Sequence, residues 1–397
     1  MKFSEFNFHP SLLEGIESLR FDTATPIQEL AIPEILKGRD IMGSAQTGTG
    51  KTAAFLLPVI QQIITEDQDS RVKALIIVPT RELSVQIDQH MEAISYFTPV
   101  SSIAVYGGTD GVTFAKEKNA FLTGADIVIA TPGRMISHLN NDYVDFSGIK
   151  YLILDEADRM LDMGFYDDII KIISYLPEKR QNLMFSATMP KNIKILANKI
   201  LINPYEISLS VSKPVENVLQ IAYILFENQK QELLKDLLKD KALSSILIFC
   251  STKLSAKALS KVLKKSAYSI EDIHSDLDQQ TRERVLAEFK NRKLNILVAT
   301  DILSRGIDVE DIDLVVNYDV PNDSEDYIHR IGRTARAKSD GVAITFVNEK
   351  EQNKFFGIET FLGAPVYKMA VPEFLGDTPE YKPGRRGKNI RFKPSRK

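Results

Sequence analysis

Short runs of Ile, Val and Leu recur along the chain, separated by stretches whose apolar residues fall three and four apart. The runs are Asp40 to Gly43, Ala74 to Val78, Asp126 to Ala130, Tyr151 to Leu154 and Asn182 to Phe185. They do not alternate with polar residues, as expected for strands of a parallel sheet covered on both faces by helices. Residues 1–38 read mostly as helix, and Pro26 suits a first helical turn, where no N–H is needed. The first 205 or so residues thus predict one doubly wound α/β domain. Between Asn203 and Leu219 the periodicity lapses, and Pro204, Ser208, Ser210, Ser212 and Pro214 suggest a connector of about ten residues. The chain resumes at Leu219 to Tyr223, and a second series of runs follows at Ile246 to Cys250, Leu294 to Thr300, Leu314 to Tyr318 and Val342 to Val347. The expected layout is two α/β domains, 1–207 and 218–370, a linker at 208–217 and a basic, disordered tail at 371–397.

The turn after the first run reads Ala45-Gln46-Thr47-Gly48-Thr49-Gly50-Lys51-Thr52 and opens the helix-like stretch Ala53 to Ile64. Glycines let successive N–H groups curl inward, and the positive end of the next helix adds to them, which makes a cradle for phosphate. Lys51 is placed to neutralise the outer phosphates and the Thr52 hydroxyl to ligate magnesium. Ala45 stands where the general pattern has its first glycine.

Composition changes the picture in one respect. At 397 residues, 44% apolar and 26% charged, the chain is ordinary for a folded protein of two or three domains. It opens without a basic-then-apolar leader, and no stretch approaches the roughly 20 apolar residues of a bilayer span, so a cytoplasmic location is expected. Its one cysteine, Cys250, excludes an internal disulfide and suits a buried thiol. The net charge of −3 hides a split: residues 382–397 carry eight Lys or Arg and no acid, leaving the rest at −11. A short basic arm on an acidic body suits a polyanion, although the same arm would also serve solubility alone.

Two further stretches carry chemistry. Asp155-Glu156-Ala157-Asp158 follows an apolar run, which puts Asp155 where a P-loop sheet holds its magnesium ligand and Glu156 where it can orient or deprotonate water. Tyr327 to Arg336 holds arginines at three-residue steps; on one helix Arg330, Arg333 and Arg336 would form a single basic stripe able to stabilise charge in phosphoryl transfer. His329 by itself reads as a packing residue.

These residues resemble the DEAD-box ATP-dependent RNA helicases, over about residues 3 to 370. Phe3, Phe21, Thr25-Pro26-Ile27 and Gln28 are similar to the adenine-reading Q motif, with Phe21 stacking on the base and Gln28 reading its amino edge. Pro79-Thr80-Arg81-Glu82-Leu83, Gly107-Gly108 and Thr131-Pro132-Gly133-Arg134 resemble RNA-backbone contacts, and Ser186-Ala187-Thr188 the element coupling hydrolysis to strand separation. Gln279 and Arg282, Ala299-Thr300-Asp301 and Arg305-Gly306-Ile307-Asp308 match later motifs. The resemblance implies RNA contacts for Arg282 and Thr300, nucleotide contacts for Gly306 and the ribose for Asp308. It also implies phosphate contacts for Arg333 and Arg336, and a place for His329 in the catalytic set. It accommodates Ala45, since the family's loop commonly starts with alanine. Arg20 and Ala335 depart from it, each standing where glycine is usual.

By the same resemblance the fold is two tandem RecA-like domains, the cofactors are ATP and Mg²⁺, and the partner is RNA, bound largely without regard to sequence by a monomer. The short N-terminus and brief tail suit an RhlE-like bacterial type. The implied activity is RNA-dependent ATP hydrolysis coupled to cleft closure and local, non-processive unwinding. An ATP-gated RNA clamp needs the same motifs and stays open, as does a DNA helicase on phosphate contacts alone, whereas a metabolic P-loop kinase would lack the second arginine motif. Removing residues 382–397 is expected to weaken RNA binding and to flatten its salt dependence by roughly 0.7–0.9 per lost phosphate contact. A titration at several salt concentrations reads this directly, and an unchanged slope reduces the tail to a solubility aid.

Overall fold

A computed structural model describes residues 1–45, 48–65, 71–108, 111–209, 218–239, 244–265, 268–300, 312–334 and 341–384. It divides into two compact units, Met1–Ser212 and Lys213–Lys397. Each is a seven-stranded sheet.

In the first unit the strands are β1 (Ile41–Ser44), β2 (Ala74–Ile77), β3 (Ser102–Val105), β4 (Ile127–Ala130), β5 (Tyr151–Leu154), β6 (Gln181–Ser186) and β7 (Tyr205–Ser208). They lie in the order β3-β4-β2-β5-β6-β1-β7 with every ladder parallel. The central strands are apolar throughout because both faces are covered. Ala74 and Ile76 join one core with Ile153, while Leu75 and Ile77 join another with Leu152 and Leu154. That double burial is why the runs show no alternation.

The second unit contains β8 (Val218–Ile224), β9 (Ile246–Cys250), β10 (Ile270–Ile273), β11 (Ile296–Thr300), β12 (Leu314–Asn317), β13 (Gly341–Val347) and β14 (Tyr367–Met369). Their order is β10-β11-β9-β12-β13-β8-β14, again all parallel. Cys250 closes β9 fully buried, and burial pushes its thiol pKa up to about 12, which leaves it inert at neutral pH.

Two expectations need correction. The lapse of periodicity after Asn203 conceals β7, which pairs with β1 at the sheet edge, Ile41 opposite Tyr205. Only Ile207 of this strand is buried, so it lacks an apolar run. Of the expected linker, residues 210–217 lie outside the described residues. The second unit also continues past 370. The side chain of Gln229 donates to the Leu375 and Asp377 carbonyls, Gln352 brackets the chain through Glu380 O and Lys382 N, and Gly384 N donates to Asn353. Tyr381 packs edge-on against Phe355 and donates its hydroxyl to Glu359. Side-chain amides thus take the backbone groups of an extended segment that has no periodicity of its own. Residues 385–397 lie outside the described residues, and a truncation that keeps this seat intact begins after Gly384. No described helix is long and apolar enough to cross a membrane.

The second unit is pinned by one buried cation. Lys230, with no exposed side-chain surface, lies 2.9 Å from Glu227, 3.0 Å from Asp319 and 3.3 Å from Glu351. Its ammonium also sits 5.3 Å from the centre of the Tyr318 ring. It ties the turn before the Lys230–Leu237 helix to the end of β12 and to the start of the Gln352–Leu362 helix. Lys230→Met leaves Asp319 and Glu351 facing each other without their cation. It is expected to destabilise this unit by about 3–5 kcal/mol, read from urea unfolding by circular dichroism. A loss below about 1 kcal/mol would show that the cluster is not what holds these elements together.

Candidate active site and nucleic-acid interface

Because the strands of the first unit are parallel, their carboxyl ends share one edge, and the motifs lie there. Residues 45–52 follow β1, 79–83 follow β2, 107–108 follow β3, 131–134 follow β4, 155–158 follow β5, and 186–188 close β6.

The phosphate loop is held from two sides. Ala45 is buried, is not in the left-handed region, and donates its N–H to Ser186 O at 3.1 Å, so alanine meets the needs of this position. Gly48 and Gly50 have φ of +80° and +88°. A Cβ at Gly50 would come within 2.4 Å of Gln28 Nε2, and the glycine instead lets that amide donate to Gly50 O at 3.0 Å. Gln28 Oε1 accepts from Thr25 N at 2.9 Å, so the expected adenine reader is oriented by the loop it serves. Phe21 is 40% exposed, with its ring 6.3 Å from that of buried Phe3. Arg20 has φ +58° at the end of the Pro10–Ser18 helix, with Arg20 N on Glu17 O and Phe21 N on Ile16 O. It serves as a left-handed helix cap, where glycine would avoid roughly 1 kcal/mol of strain. Its departure therefore bears on local stability rather than on chemistry.

Lys51 starts the Lys51–Thr65 helix, is buried, and donates Nζ to Ala45 O at 2.8 Å. Asp155 is 3% exposed; burial raises its pKa, Lys51 and the Glu156 N–H counter this, and Asp158 adds to it. Glu156 is 6% exposed and left-handed, with φ +52°, at the start of the Ala157–Asp162 helix. That conformation costs of order 1–3 kcal/mol, the kind of strain kept at functional sites.

Asp158 does work the sequence reading did not assign. Its Oδ2 accepts from Ala187 N at 3.1 Å, Thr188 N at 3.1 Å and Thr188 Oγ1 at 3.2 Å, while Asp158 N donates to fully buried Ser186 Oγ at 3.3 Å. The acidic tetrapeptide and the Ser186–Thr188 segment are therefore one hydrogen-bonded body. The signal was the third carboxylate of the tetrapeptide, which points at neither metal nor water.

The surface expected to meet RNA is also built from paired motifs. Pro79 and Thr80 are buried, and Thr80 Oγ1 caps the Arg81–Ser95 helix through Leu83 N at 3.3 Å. Arg81 lies across Gly108, φ +80°, where a Cβ would stand 2.0 Å from the guanidinium. Thr131 and Pro132 open the Pro132–Leu139 helix, with Gly133 exposed on its first turn. Arg134 is turned inward. It sits 2.7 Å from Glu117 Oε2 and 4.6 Å over the Phe114 ring, and its side chain is 12% exposed. Glu117 and His138 are buried, 2.8 Å apart, and His138 stacks on Phe114 with ring centres 4.5 Å apart. Arg134 thus anchors the start of this helix through Glu117, a partner that sequence spacing could not reveal.

In the second unit the expected arginine stripe is not one helical face. The helix Ser324–Ile331 ends before Arg333, which lies in the 3-10 turn Gly332–Thr334. Arg330 is fully buried, donating to Asn317 Oδ1 at 3.0 Å and Asp319 O at 2.9 Å over the Phe249 ring. It is a core anchor. Arg333 is half-buried, its Nε on His329 O at 3.2 Å, and its carbonyl accepts from Ile312 N at 3.3 Å. His329, Arg282 and Thr300 are buried, Thr300 ending β11 opposite Cys250. Gln46, Thr47, Asp301, Arg305, Gly306, Asp308, Ala335 and Arg336 lie outside the described residues.

The residues present fit a nucleotide and a divalent cation. The Gly50 position has no room for a side chain, a buried ammonium stands at the loop, and a desolvated carboxylate gains from a nearby cation. Magnesium shared with phosphates and water needs only one or two protein carboxylates.

Comparison with known proteins agrees with this geometry. Residues 25–196 match the DEAD/DEAH box helicase family and residues 229–338 the helicase conserved C-terminal domain. The ATP-dependent RNA helicase CshA of Listeria monocytogenes is 41% identical over 351 residues, covering 88% of this chain and 66% of that protein. The DEAD-box ATP-dependent RNA helicase RhpA of Helicobacter pylori is 38% identical over 371 residues, covering 93% and 74%. The structure of S. cerevisiae Dbp5 bound to RNA and ADP BeF3 superposes with a TM-score of 0.84 at 30% identity, over 94% of this chain and 96% of that one. Mss116 bound to ssRNA and UDP-BeF gives 0.84 at 30%, over 94% and 80%. Matched in both units and along nearly the whole length of the chain, this protein belongs to the DEAD-box ATP-dependent RNA helicase family.

Proposed function

We propose that the protein hydrolyses ATP in response to RNA and uses the cycle to open short RNA duplexes or remodel RNA–protein complexes in the cytoplasm, as a monomer. The observation that supports this reading is the hydrogen-bonded union of Asp158 with Ser186–Thr188, which joins the candidate water-activating segment to the segment expected to couple hydrolysis to RNA.

In this reading Phe21 and Gln28 select adenine, the 45–52 loop and Lys51 hold the phosphates, and Glu156 orients and deprotonates the attacking water. Thr52 and Asp155 would hold Mg²⁺, which supplies charge neutralisation at the phosphates. Arg333 and Arg336 stabilise the charge that builds on the transferred group. Thr80, Gly108, Thr131 and Gly133 offer hydroxyl and backbone donors to RNA phosphates and sugars, with Arg81 and Arg134 fixing the turns that present them. Arg282 and Thr300 extend this surface on the second unit, and Gly306 and Asp308 meet the nucleotide there. Contacts of this kind carry affinity without base readout. ATP and RNA then favour the same closed arrangement of the two units, and a strand bent to fit it no longer pairs in a duplex.

Lys51→Ala and Glu156→Gln separate binding from chemistry. The first is expected to weaken ATP binding by about 10- to 100-fold, the value of a charge-assisted hydrogen bond. The second keeps ATP and RNA bound while turnover falls at least about 100-fold. Equilibrium binding and phosphate release measure both, and normal turnover in Glu156→Gln removes its assigned role. Duplex displacement scored against turnover separates a helicase from a clamp, since turnover without displacement favours the clamp. RNA is expected to raise ATP affinity by the same factor as ATP raises RNA affinity; measured with Glu156→Gln, unequal factors would rule out closure as a single two-state step.

A further inference from the structure

The opposite edge of the first unit's sheet, where the strands begin, holds a cavity of about 980 Å³. Its walls are the segments leading into β2, β5 and β6, closed by Gln62 and Thr65 near the end of the Lys51–Thr65 helix. Among the described residues that line it, five are cationic, Arg71, Lys73, Lys150, Lys179 and Arg180, and none is Asp or Glu. Such a concentration stands out on a chain whose first 381 residues carry a net −11.

Helix carboxyl ends meet this edge, and cations often sit beside them for that reason. Here those ends are already served by neutral groups. Ile35 O accepts from Gln62 Nε2 and Gln181 Nε2, both at 3.0 Å. Thr65 Oγ1 donates to Gln61 O at 3.2 Å and Gln62 O at 2.9 Å. Lys73 is matched by buried Asp126 at 3.1 Å. Arg180 is not matched in this way. It is half-buried and donates only to neutral acceptors, Nε to Asn182 Oδ1 at 2.8 Å and Nη1 to Pro177 O at 2.6 Å, with no ion pair among the described residues. Asp40 offsets part of its charge from a distance, while the Asp40 oxygens accept from Asn182 N, Asn182 Nδ2 and Ile202 N. Lys179 is exposed and likewise makes no ion pair among the described residues. A partly desolvated guanidinium with neutral partners gains from an anion, and its planar fork fits a phosphate.

We propose that this cavity is a second anion site, taking a small multiply phosphorylated ligand such as inorganic polyphosphate or a nucleoside polyphosphate. Its volume is in the range of small-molecule pockets. Single-stranded RNA fits it poorly, because Tyr151 is the one aromatic residue in the lining and is 5% exposed, so there is no platform for base stacking. The strands that separate this edge from the motif edge are four to six residues long. That places the two sites roughly 13–20 Å apart, too far for one ligand phosphate to serve both.

The test is calorimetric titration of inorganic tripolyphosphate onto the full chain saturated with ADP, so that the phosphate loop is filled. One equivalent is expected to bind at this site, undiminished in Lys51→Ala. The double variant Lys179→Gln, Arg180→Gln is expected to lose about tenfold or more in affinity, while its RNA-stimulated ATP turnover is unchanged. Since Arg180 is half-buried and its replacement can unfold the unit, Lys179→Glu alone, at an exposed position, is expected to weaken binding several-fold with an unchanged melting temperature. The same series with GTP in place of tripolyphosphate tells whether a nucleoside is also accommodated. No binding to the ADP-saturated chain overturns the proposal. So does undiminished binding in both variants, which places the anion on the basic C-terminal residues, and so does an equal loss of RNA affinity, which makes the cavity part of an RNA path.

Discussion

Three carboxylates within four residues, Asp155, Glu156 and Asp158, are all buried at the end of β5. Leaving such charges unserved in a low-dielectric setting is costly, so the surrounding loops must supply hydrogen-bond donors and cations. Asp158 takes the N–H groups of Ala187 and Thr188 and the Thr188 hydroxyl. Asp155 takes the Glu156 N–H and the field of Lys51. Lys51 in turn reaches the carbonyl of Ala45, whose N–H is held by Ser186 O. The ends of β1, β5 and β6 are thus bound into one cluster. A group that changes charge among them alters the partners available to the others.

The second unit solves a similar problem with the signs reversed. Lys230 and Arg330 are buried cations, and the end of β12 serves both, through the Asp319 carboxylate for one and the Asn317 side chain and Asp319 carbonyl for the other. This fixes the helix that leads into Arg333, whose backbone is tied to Ile312 and whose Nε returns to His329 O. Arg333 is therefore held on a tied turn, and Arg330 secures the preceding helix from inside. A side chain tied in this way has little ordering left to do when a ligand arrives.

Legibility followed burial. Central strands such as β2 and β9 have every side chain under helices on one face or the other, and their sequences are unbroken apolar runs. Edge strands β3, β7, β10 and β14 face water on one side and fall below that signal; β14, Tyr367–Met369, has no buried residue. Residues with local geometric duties were readable, among them the loop glycines, Lys51 and the acidic pair, because the chemistry demands particular types at fixed spacing. Residues that act through a partner distant in sequence were not. Glu117 meets Arg134 across 17 positions and Gln28 meets Gly50 across 22. The arginine repeat misled for a related reason: a three-residue step gives one face only while the helix continues, and here it tightens to a 3-10 turn at Gly332.

The same distinction bears on the edge proposed to meet RNA. Arg134 has the type and position of a phosphate contact, yet its guanidinium is spent on Glu117 and the Phe114 ring. Arg81 is likewise laid over Gly108. Arginines used in this way bring strand ends together so that small residues, Gly108, Thr131 and Gly133, can present backbone and hydroxyl donors at the surface. Donors held by the fold lose little freedom on binding and do not distinguish one base from another. Under the proposed function, tolerance of RNA sequence would follow from donors of this kind. A charged side chain reaching freely to a base edge would bring selectivity, and Arg134 is turned inward onto Glu117 instead.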